Sequence, residues 1–528
     1  MLFYNILPHH VKYFFTIRLT KFKIYVKMLS VLYKTASMIT FFVLKGQYMI
    51  VTRFAPSPTG YMHIGNLRTA LYSYLIAKHE DGNFILRIED TDRERLVEGA
   101  TDVIKSTLKI TGLNYDEGPD VGGDHGPYVQ SERKPIYMEY AKKLIELGAA
   151  YYCFCTKERL EKLHEEDAVG GYDRHCRNLS PEEIEKNLAE GIPYVIRQKM
   201  PLDGVTTYTD CVFGEISMNN SELQDQILMK ADGYPTYNFA HVVDDYLMGV
   251  THVVRGSEYL TSTPKYVLLY DAFGWERPNY VHLPLLMGKN EDGSVSKLSK
   301  RHGAVSFQDL ILDGYLPEAV INYISLLGWC PKNSETEFFT LRELEECFTI
   351  DGVSKSPAVF DFEKLLWFNG EYVHKLEDEV FNELIAPFIK LDIPENVNKE
   401  KMLKLLKTRI SKLSEINERM SFFITLPEYE KELFLNKKNK IADFDIVKSV
   451  LTEAREILGA LSAYDNDSLF AALTPISEKL GIKTGAVMWC IRIAVSGMAA
   501  TPGGATEIIE VIGKEEALKR IDRALEIL

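Results

Sequence analysis

The sequence predicts an α/β protein built on a doubly wound parallel sheet and ending in an all-helical region. Three observations carry that expectation. β-Branched runs alternate with helical periodicity in residues 49–136 and again in 232–289, Arg53 to Leu71 reads as strand, tight turn and helix in one run, and long Leu/Ile/Lys/Glu periodicity follows residue 315. Strands separated by helices need crossover connections and so pair in parallel, while a sustained 3.6-residue pattern means helices packed on helices.

At 528 residues the chain is too long for one core, and about three to four domains is the natural division. Its composition, 46% hydrophobic and 26% charged, is that of a soluble globular protein. A net charge of −14 argues against a generally basic nucleic-acid coat, although local basic faces can still meet a polyanion. Residues 1–48 differ from the remainder. They carry Lys12, Arg18, Lys21, Lys23, Lys27, Lys34 and Lys45 with no acidic residue. No uncharged run there reaches the roughly 18 apolar residues of a membrane span, and the scarcity of Arg and Ser fits an organellar address poorly. The segment reads as a leader of doubtful significance, consistent with a translation start placed upstream of Met28, Met38 or Met49.

In the first strand-turn-helix unit, Ile50 to Phe54 is β-branched and aromatic and suits a buried strand. Pro56 and Pro58 remove backbone donors and end it, and Gly60 permits a tight turn. From Asn66, Leu67, Ala70, Leu71 and Leu75 recur at the spacing of an amphipathic helix. A strand feeding a small-residue turn and a helix N-terminus converges amide groups on one point, which favours phosphate. Asn83 to Asp90 is a second strand ending in acids; Glu89 and Asp90 stand where a parallel sheet faces its ligand crevice, or else cap the next helix. A Gly/Pro-rich loop, Glu117 to Pro127, leads to a helix from Ser131, its expected cap, to Leu147.

Beyond Tyr151 the character changes. Cys153 and Cys155 with Cys176 offer three soft ligands for tetrahedral zinc, with Tyr172 or His175 as the fourth; three unrelated thiols is the competing reading. Seven scattered cysteines point to a reducing compartment. Thr251 to Tyr259 is another strand ending in Arg255-Gly256, where an arginine fork can meet a carboxylate or phosphate. Lys297-Leu-Ser-Lys-Arg301 follows a Gly-containing loop, from which flexible ammonium groups reach a phosphate chain.

Ala55-Pro-Ser-Pro-Thr-Gly-x-x-His-x-Gly65, paired with Lys297-Leu-Ser-Lys-Arg301 about 230 residues later, resembles the two signatures of class I aminoacyl-tRNA synthetases, and specifically bacterial-type glutamyl-tRNA synthetases. The likeness runs through Arg87 to Asp92, Tyr128 to Arg133, Pro235 to Phe239, Val243 to Asp245, Ser354 to Phe360 and Gly513 to Glu516. Asn66 stands where the family commonly has His, and Leu298 where Met is commonest.

This resemblance implies a Rossmann-type catalytic domain (49–136 and 232–289), an inserted α+β acceptor-binding domain (137–231), a junction domain carrying the lysine loop (290–372) and a helical anticodon-binding domain (373–528). It implies a cytoplasmic, monomeric ligase that uses ATP with Mg²⁺, L-glutamate and tRNA(Glu), with tRNA(Gln) as an alternative acceptor, one structural zinc and no membrane. His63, Lys297 and Lys300 are its expected catalytic residues, and Gly60, His63, Gly65, Glu258 and Lys300 its ATP site. Arg53, Ala55, Ser57, Glu89, Tyr237, His241 and Arg255 would hold glutamate, and Cys153, Cys155, Tyr172 and Cys176 the zinc. Lys399, Lys401, Lys404, Lys407, Arg409 and Lys412 would be phosphate contacts; by residue type Trp367 and Trp489 read as core residues rather than base-stacking platforms. A small-molecule nucleotidyltransferase would not need the long helical region after the lysine loop. A catalytically silent tRNA-binding protein would not keep His63, Lys297 and Lys300, and a tRNA-modifying relative usually lacks the anticodon region.

Overall fold

The structure is a computed structural model that describes residues 49–528 except 167–170, 304, 333 and 334; the side chains of His164, Glu166 and Lys300 are likewise not described. The leader expected at residues 1–48 lies outside the described residues.

The first strand, β1 (Val51–Phe54), is buried at every position, as its apolar run demands. It passes through the proline turn into α1 (Ile64–His79) and pairs in parallel with β2 (Asn83–Leu86), Val51 opposite Asn83 and Phe54 opposite Leu86. α1 is not amphipathic: Ile64, Leu67, Arg68 and Ala70 to Ala77 are all buried, because the helix has the sheet on one side and the later junction elements on the other. After α2 (Ala100–Ile110), a single 3₁₀ turn, Gln130–Arg133, precedes α3 (Lys134–Glu146). Ser131 therefore does not cap α3; its amide donates to Asp90 Oδ1 at 2.8 Å, so the carboxylate expected to cap the following helix instead ties β2 to the start of α3.

Next come β3 (Ala150–Cys153), α4 (Lys157–Glu166), α5 (Pro181–Ala189) and β4 (Val195–Gln198), followed by the hairpin β5 (Val205–Asp210) and β6 (Gly214–Asn219), then β7 (Ile227–Met229). β3, β4 and β7 form an antiparallel sheet. β5 and β6 join the parallel strands. With α6 (Tyr237–Leu247), β8 (His252–Gly256), α7 (Thr263–Phe273) and β9 (Asn279–Leu283), the strand order is β6-β5-β9-β8. β1 lies beside β8, where the Thr251 amide donates to Val51 O at 2.9 Å.

A second small sheet sets β10 (Leu286–Lys289) between antiparallel β11 (Val295–Lys297) and parallel β12 (Ala358–Phe360). α8 (Phe307–Leu312), α9 (Pro317–Ser325) and α10 (Leu341–Cys347) lie between them in sequence, and α11 (Phe362–Lys375) follows. Trp367 is 48% exposed because the inward face of α11 is Leu365, Phe368 and Val373; the core position expected for it is taken by Phe368. The remainder is helical: α12 (Asp378–Ile385), α13 (Lys399–Lys407), α14 (Ile416–Ile424), α15 (Phe444–Ala460), α16 (Asn466–Leu473), α17 (Pro475–Leu480), α18 (Thr484–Ser496) and α19 (Ala505–Ile527), kinked at Gly513. Lys401, Lys404, Lys407 and Lys412 are each paired with a carboxylate of the protein, so much of the basic run is internally compensated.

Leu316 and Ala319 of the junction belong to the core of this helical region. Asn369, fully buried on α11, fastens the two: its Oδ1 accepts the Leu316 amide at 2.7 Å and its Nδ2 donates to Ser411 O at 2.6 Å. Replacing Asn369 with Leu keeps the volume but strands a buried amide and carbonyl. We expect a loss of about 1–3 kcal/mol, read as a lower thermal unfolding midpoint; an unchanged midpoint would show that the bolt carries no load.

Candidate functional site

A cavity of about 1020 Å³ opens at the carboxyl ends of β1, β2 and β8, the crevice position expected of an open parallel sheet. The proline turn forms its floor. Gly60 adopts φ +123°, closed to most side chains, and His63 caps α1, its Nδ1 accepting the Gly65 amide at 3.0 Å. That bond leaves the ring proton of the neutral imidazole on Nε2, a donor suited to phosphate oxygen. A Cβ at Gly65 would press on the His63 ring at 3.2 Å. The turn is held from far along the chain: Ile64 N–H donates to Val305 O and Phe307 N–H to Met62 O, both at 2.9 Å. Residues just after the lysine loop thus pair with the first signature.

Arg53, Ala55, Ser57, His63, Gly65 and Asn66 line the cavity from the first unit. Glu89, Tyr237, Arg255, Glu258 and Lys297 complete the set of expected residues found there. Lys297 Nζ stands 3.7 Å from Glu258 Oε1, both well exposed. Lys300 begins a short 3₁₀ turn, Lys300–His302, and its side chain is outside the described residues. Gly60 shapes the turn without lining the cavity. His241 stands one layer back, its ring stacked 4.8 Å from that of Tyr237 and its Nδ1 2.7 Å from Tyr237 O; burial holds its pKa down to about 3, so it is neutral.

Beneath the cavity lies a buried ion network. Arg53 donates through Nε and Nη2 to both oxygens of Asp245 at 2.9 and 3.3 Å, and Arg87 donates to Asp245 Oδ1 at 2.8 Å and to Glu89 Oε1 at 3.0 Å. Asp244 accepts from Arg133, Tyr137 and Gln130 at 2.7, 2.8 and 2.9 Å. Sequence reading missed Arg87, Arg133, Asp244 and Asp245 as one unit, though the acidic end Val243 to Asp245 was a visible signal. Burial pushes the Glu89 carboxyl up to about 7, although Arg87 and Arg53 pull it down. Arg255 is different. It is buried, and no carboxylate is paired with it among the described residues; Nε and Nη2 donate to His282 and Thr263, and Nη1 has no partner. The rings of Tyr259, Tyr266 and Tyr280 surround its guanidinium at 5.3, 4.7 and 5.5 Å. A buried cation in a cavity wall without an anion is a ready receptor for one.

Away from the cavity, Cys153, Cys155 and Cys176 bring three Sγ atoms within 4.8 Å of one another. The Tyr172 hydroxyl lies 3.2 Å from Cys153 Sγ and 3.7 Å from Cys155 Sγ, whereas His175 is exposed and outside the group.

A His turn opening the first helix and joined to a lysine loop at the end of a parallel sheet is the arrangement of a class I aminoacyl-tRNA synthetase. Residues 49–367 match the family model "tRNA synthetases class I (E and Q), catalytic domain", and residues 380–525 match "Anticodon binding domain". The chain is 55% identical over 483 residues to the glutamate–tRNA ligase of Clostridium tetani, covering 91% of this chain and 98% of that one. A Clostridium botulinum glutamate–tRNA ligase is 56% identical over 477 residues, with 89% and 96% covered. Among solved structures, the glutamate tRNA ligase of Elizabethkingia meningosepticum in complex with its amino acid superposes with TM-score 0.82 at 36% identity, over 91% of this chain and all of that one. The chain belongs to the glutamate–tRNA ligase family.

The Glu89 carboxyl gives a pH test. Above about pH 7 it is charged and attracts an ammonium group; below that it is protonated and does not. The KM for the amino-acid substrate should therefore climb as pH falls, by up to about tenfold per unit well below the Glu89 pKa. Glu89→Gln should show a high KM with that slope removed; a pH-independent wild-type KM would take Glu89 out of the site.

Proposed function

We propose that the chain activates L-glutamate with ATP to glutamyl-adenylate and transfers it to the 3′ end of tRNA(Glu). The uncompensated Arg255 in the cavity beside the His63 turn is the observation that supports it best. In the first step the α-carboxylate oxygen bonds to the α-phosphorus and the bond to the β-phosphate oxygen breaks, releasing pyrophosphate. In the second a terminal ribose hydroxyl of the tRNA attacks the activated carbonyl, loses its proton and releases AMP. No protein nucleophile is needed, so positioning and charge stabilisation do the chemistry.

Arg255 would meet the side-chain carboxylate, with Arg53, Ala55, Ser57 and Tyr237 shaping the same end, and Glu89 would meet the ammonium. His241 would act through Tyr237, on which it stacks. His63 Nε2 and the amides opening α1 would meet the phosphates, with Gly60 holding the turn, Gly65 leaving room and Glu258 at the nucleotide side. Lys297 would exchange Glu258 for phosphate, and Lys300 would reach the departing pyrophosphate. Mg²⁺ arriving with ATP would share the phosphate charge.

The three thiols fit a structural zinc: three soft donors lie within 4.8 Å of one another, with the Tyr172 hydroxyl as an oxygen donor beside two of them. The ion would fasten β3 to the 3₁₀ turn His175–Asn178 and so hold the fold of residues 137–231, which would grip the acceptor end of the tRNA. The helical region after residue 373 would read the anticodon stem.

ATP–pyrophosphate exchange with tRNA present should depend on glutamate and not glutamine, and Lys300→Ala should lower it by at least about 10²-fold with the thermal midpoint unchanged. Exchange driven by glutamine alone would sink the substrate assignment, and an unaffected Lys300→Ala would remove that residue from the mechanism. A charging assay with purified tRNA(Glu) and tRNA(Gln) decides whether the second acceptor is also used. Metal analysis should find one zinc per chain, lost in Cys155→Ser together with part of the thermal stability; no zinc in the wild type would dismiss the thiol site.

A further inference from the structure

The arginine that carries the substrate reading is held by groups that stand outside the cavity. Arg255, on β8, has His282 as its register partner on parallel β9. Asp210 ends β5 and pairs with Tyr280 of the same β9. His282 Nδ1 lies 2.6 Å from Asp210 Oδ2, and its Nε2 accepts Arg255 Nε–H at 3.1 Å. Asp210 is otherwise saturated by backbone amides: Oδ2 accepts from His282 N at 3.1 Å, and Oδ1 from Val212 and Phe213 at 2.9 and 2.8 Å. All three side chains are buried.

Each bond has one polarity. An ionised carboxylate only accepts, so the imidazole proton sits on Nδ1 and the Nε2 lone pair faces Arg255. Burial keeps His282 below its usual pKa, hence neutral. Thr263 Oγ1 accepts Arg255 Nη2–H at 2.7 Å and passes its own hydrogen to Tyr259 O at 2.8 Å, so the second restraint is also neutral.

The contrast with the ion network shows what this arrangement achieves. A carboxylate placed directly on Arg255, as Asp245 is on Arg53 and Arg87, would fix the guanidinium plane but cancel its charge. A neutral acceptor oriented by a carboxylate one residue removed fixes the plane and leaves the charge available. We propose that Asp210 and His282 are positioning residues that fix the Arg255 guanidinium through a neutral imidazole, and thereby set affinity for an acidic side chain. This rests on the reading that Arg255 meets the substrate's side-chain carboxylate.

The test is ATP–pyrophosphate exchange on the full chain with tRNA(Glu), comparing wild type with His282→Phe, His282→Gln and Asp210→Asn. Phe fills the ring's place without an acceptor; Gln restores an acceptor; Asn at 210, with its amide nitrogen in the place of Oδ2, donates to Nδ1 and moves the imidazole proton to Nε2 against Arg255, giving up the bond from the His282 amide. His282→Phe and Asp210→Asn should raise the glutamate KM about 10- to 100-fold, with kcat and the ATP KM within about threefold, and His282→Gln should recover most of the loss. An unchanged glutamate KM in folded His282→Phe overturns the proposal, as does a parallel fall in kcat and rise in ATP KM that Gln does not rescue. If His282→Phe does not fold, the nearly isosteric Asp210→Asn decides by the same criteria. If the wild type answers to another amino acid, the glutamate reading fails, and the variant-to-wild-type ratios measured with that amino acid still judge the positioning role.

Discussion

The buried ion network under the cavity is the constraint on which the site depends. Arg53 comes from β1, Arg87 and Glu89 from the end of β2, Arg133 from the turn before α3, and Asp244 and Asp245 from α6. Removing Asp245 would leave Arg53 in the core without its carboxylate, a loss of about 3–5 kcal/mol. The elements that carry these groups are thus locked to one another where the ligand has to lie. The network also sorts the arginines. Arg53 and Arg87 face Asp245 within hydrogen-bond distance, whereas Arg255 has no carboxylate paired with it among the described residues, so its charge in the cavity wall is left unbalanced.

Much of this was legible from residues. The proline turn, the strand-turn-helix grammar and the Arg255-Gly256 strand end were visible because each is local, a run of a few residues whose backbone preferences speak directly. The ion network was not, since Arg87 and Asp245 are 158 positions apart and nothing local marks an arginine as buried. Nor was α1 legible as a fully buried helix: its burial depends on junction elements that begin far downstream. Ser131 looked like a cap because its type suits one, but a 3₁₀ turn intervenes and its amide serves Asp90. Trp367 was misplaced for a related reason, since residue type says little about which face of a helix meets the core.

The two signatures look independent in sequence, yet they are joined by main-chain bonds between Met62 to Ile64 and Val305 to Phe307. Backbone pairing, helped by the Met62 amide donating to Gln308 Oε1 at 3.0 Å, anchors the segment just after the lysine loop beside the His63 turn. Lys297 itself is well exposed, 3.7 Å from Glu258.

Asn369 has a consequence for how this chain can be divided. It falls in neither matched segment, 49–367 or 380–525, yet it satisfies backbone groups on both sides. A catalytic fragment cut at the end of the first match would lose it, expose the Leu316 amide and uncover Leu316 and Ala319, which pack into the helical core. The natural cleavage point for separate expression is therefore not the gap between the two modules. The strip between them acts as a keystone, and either half taken alone would show a raw, sticky face.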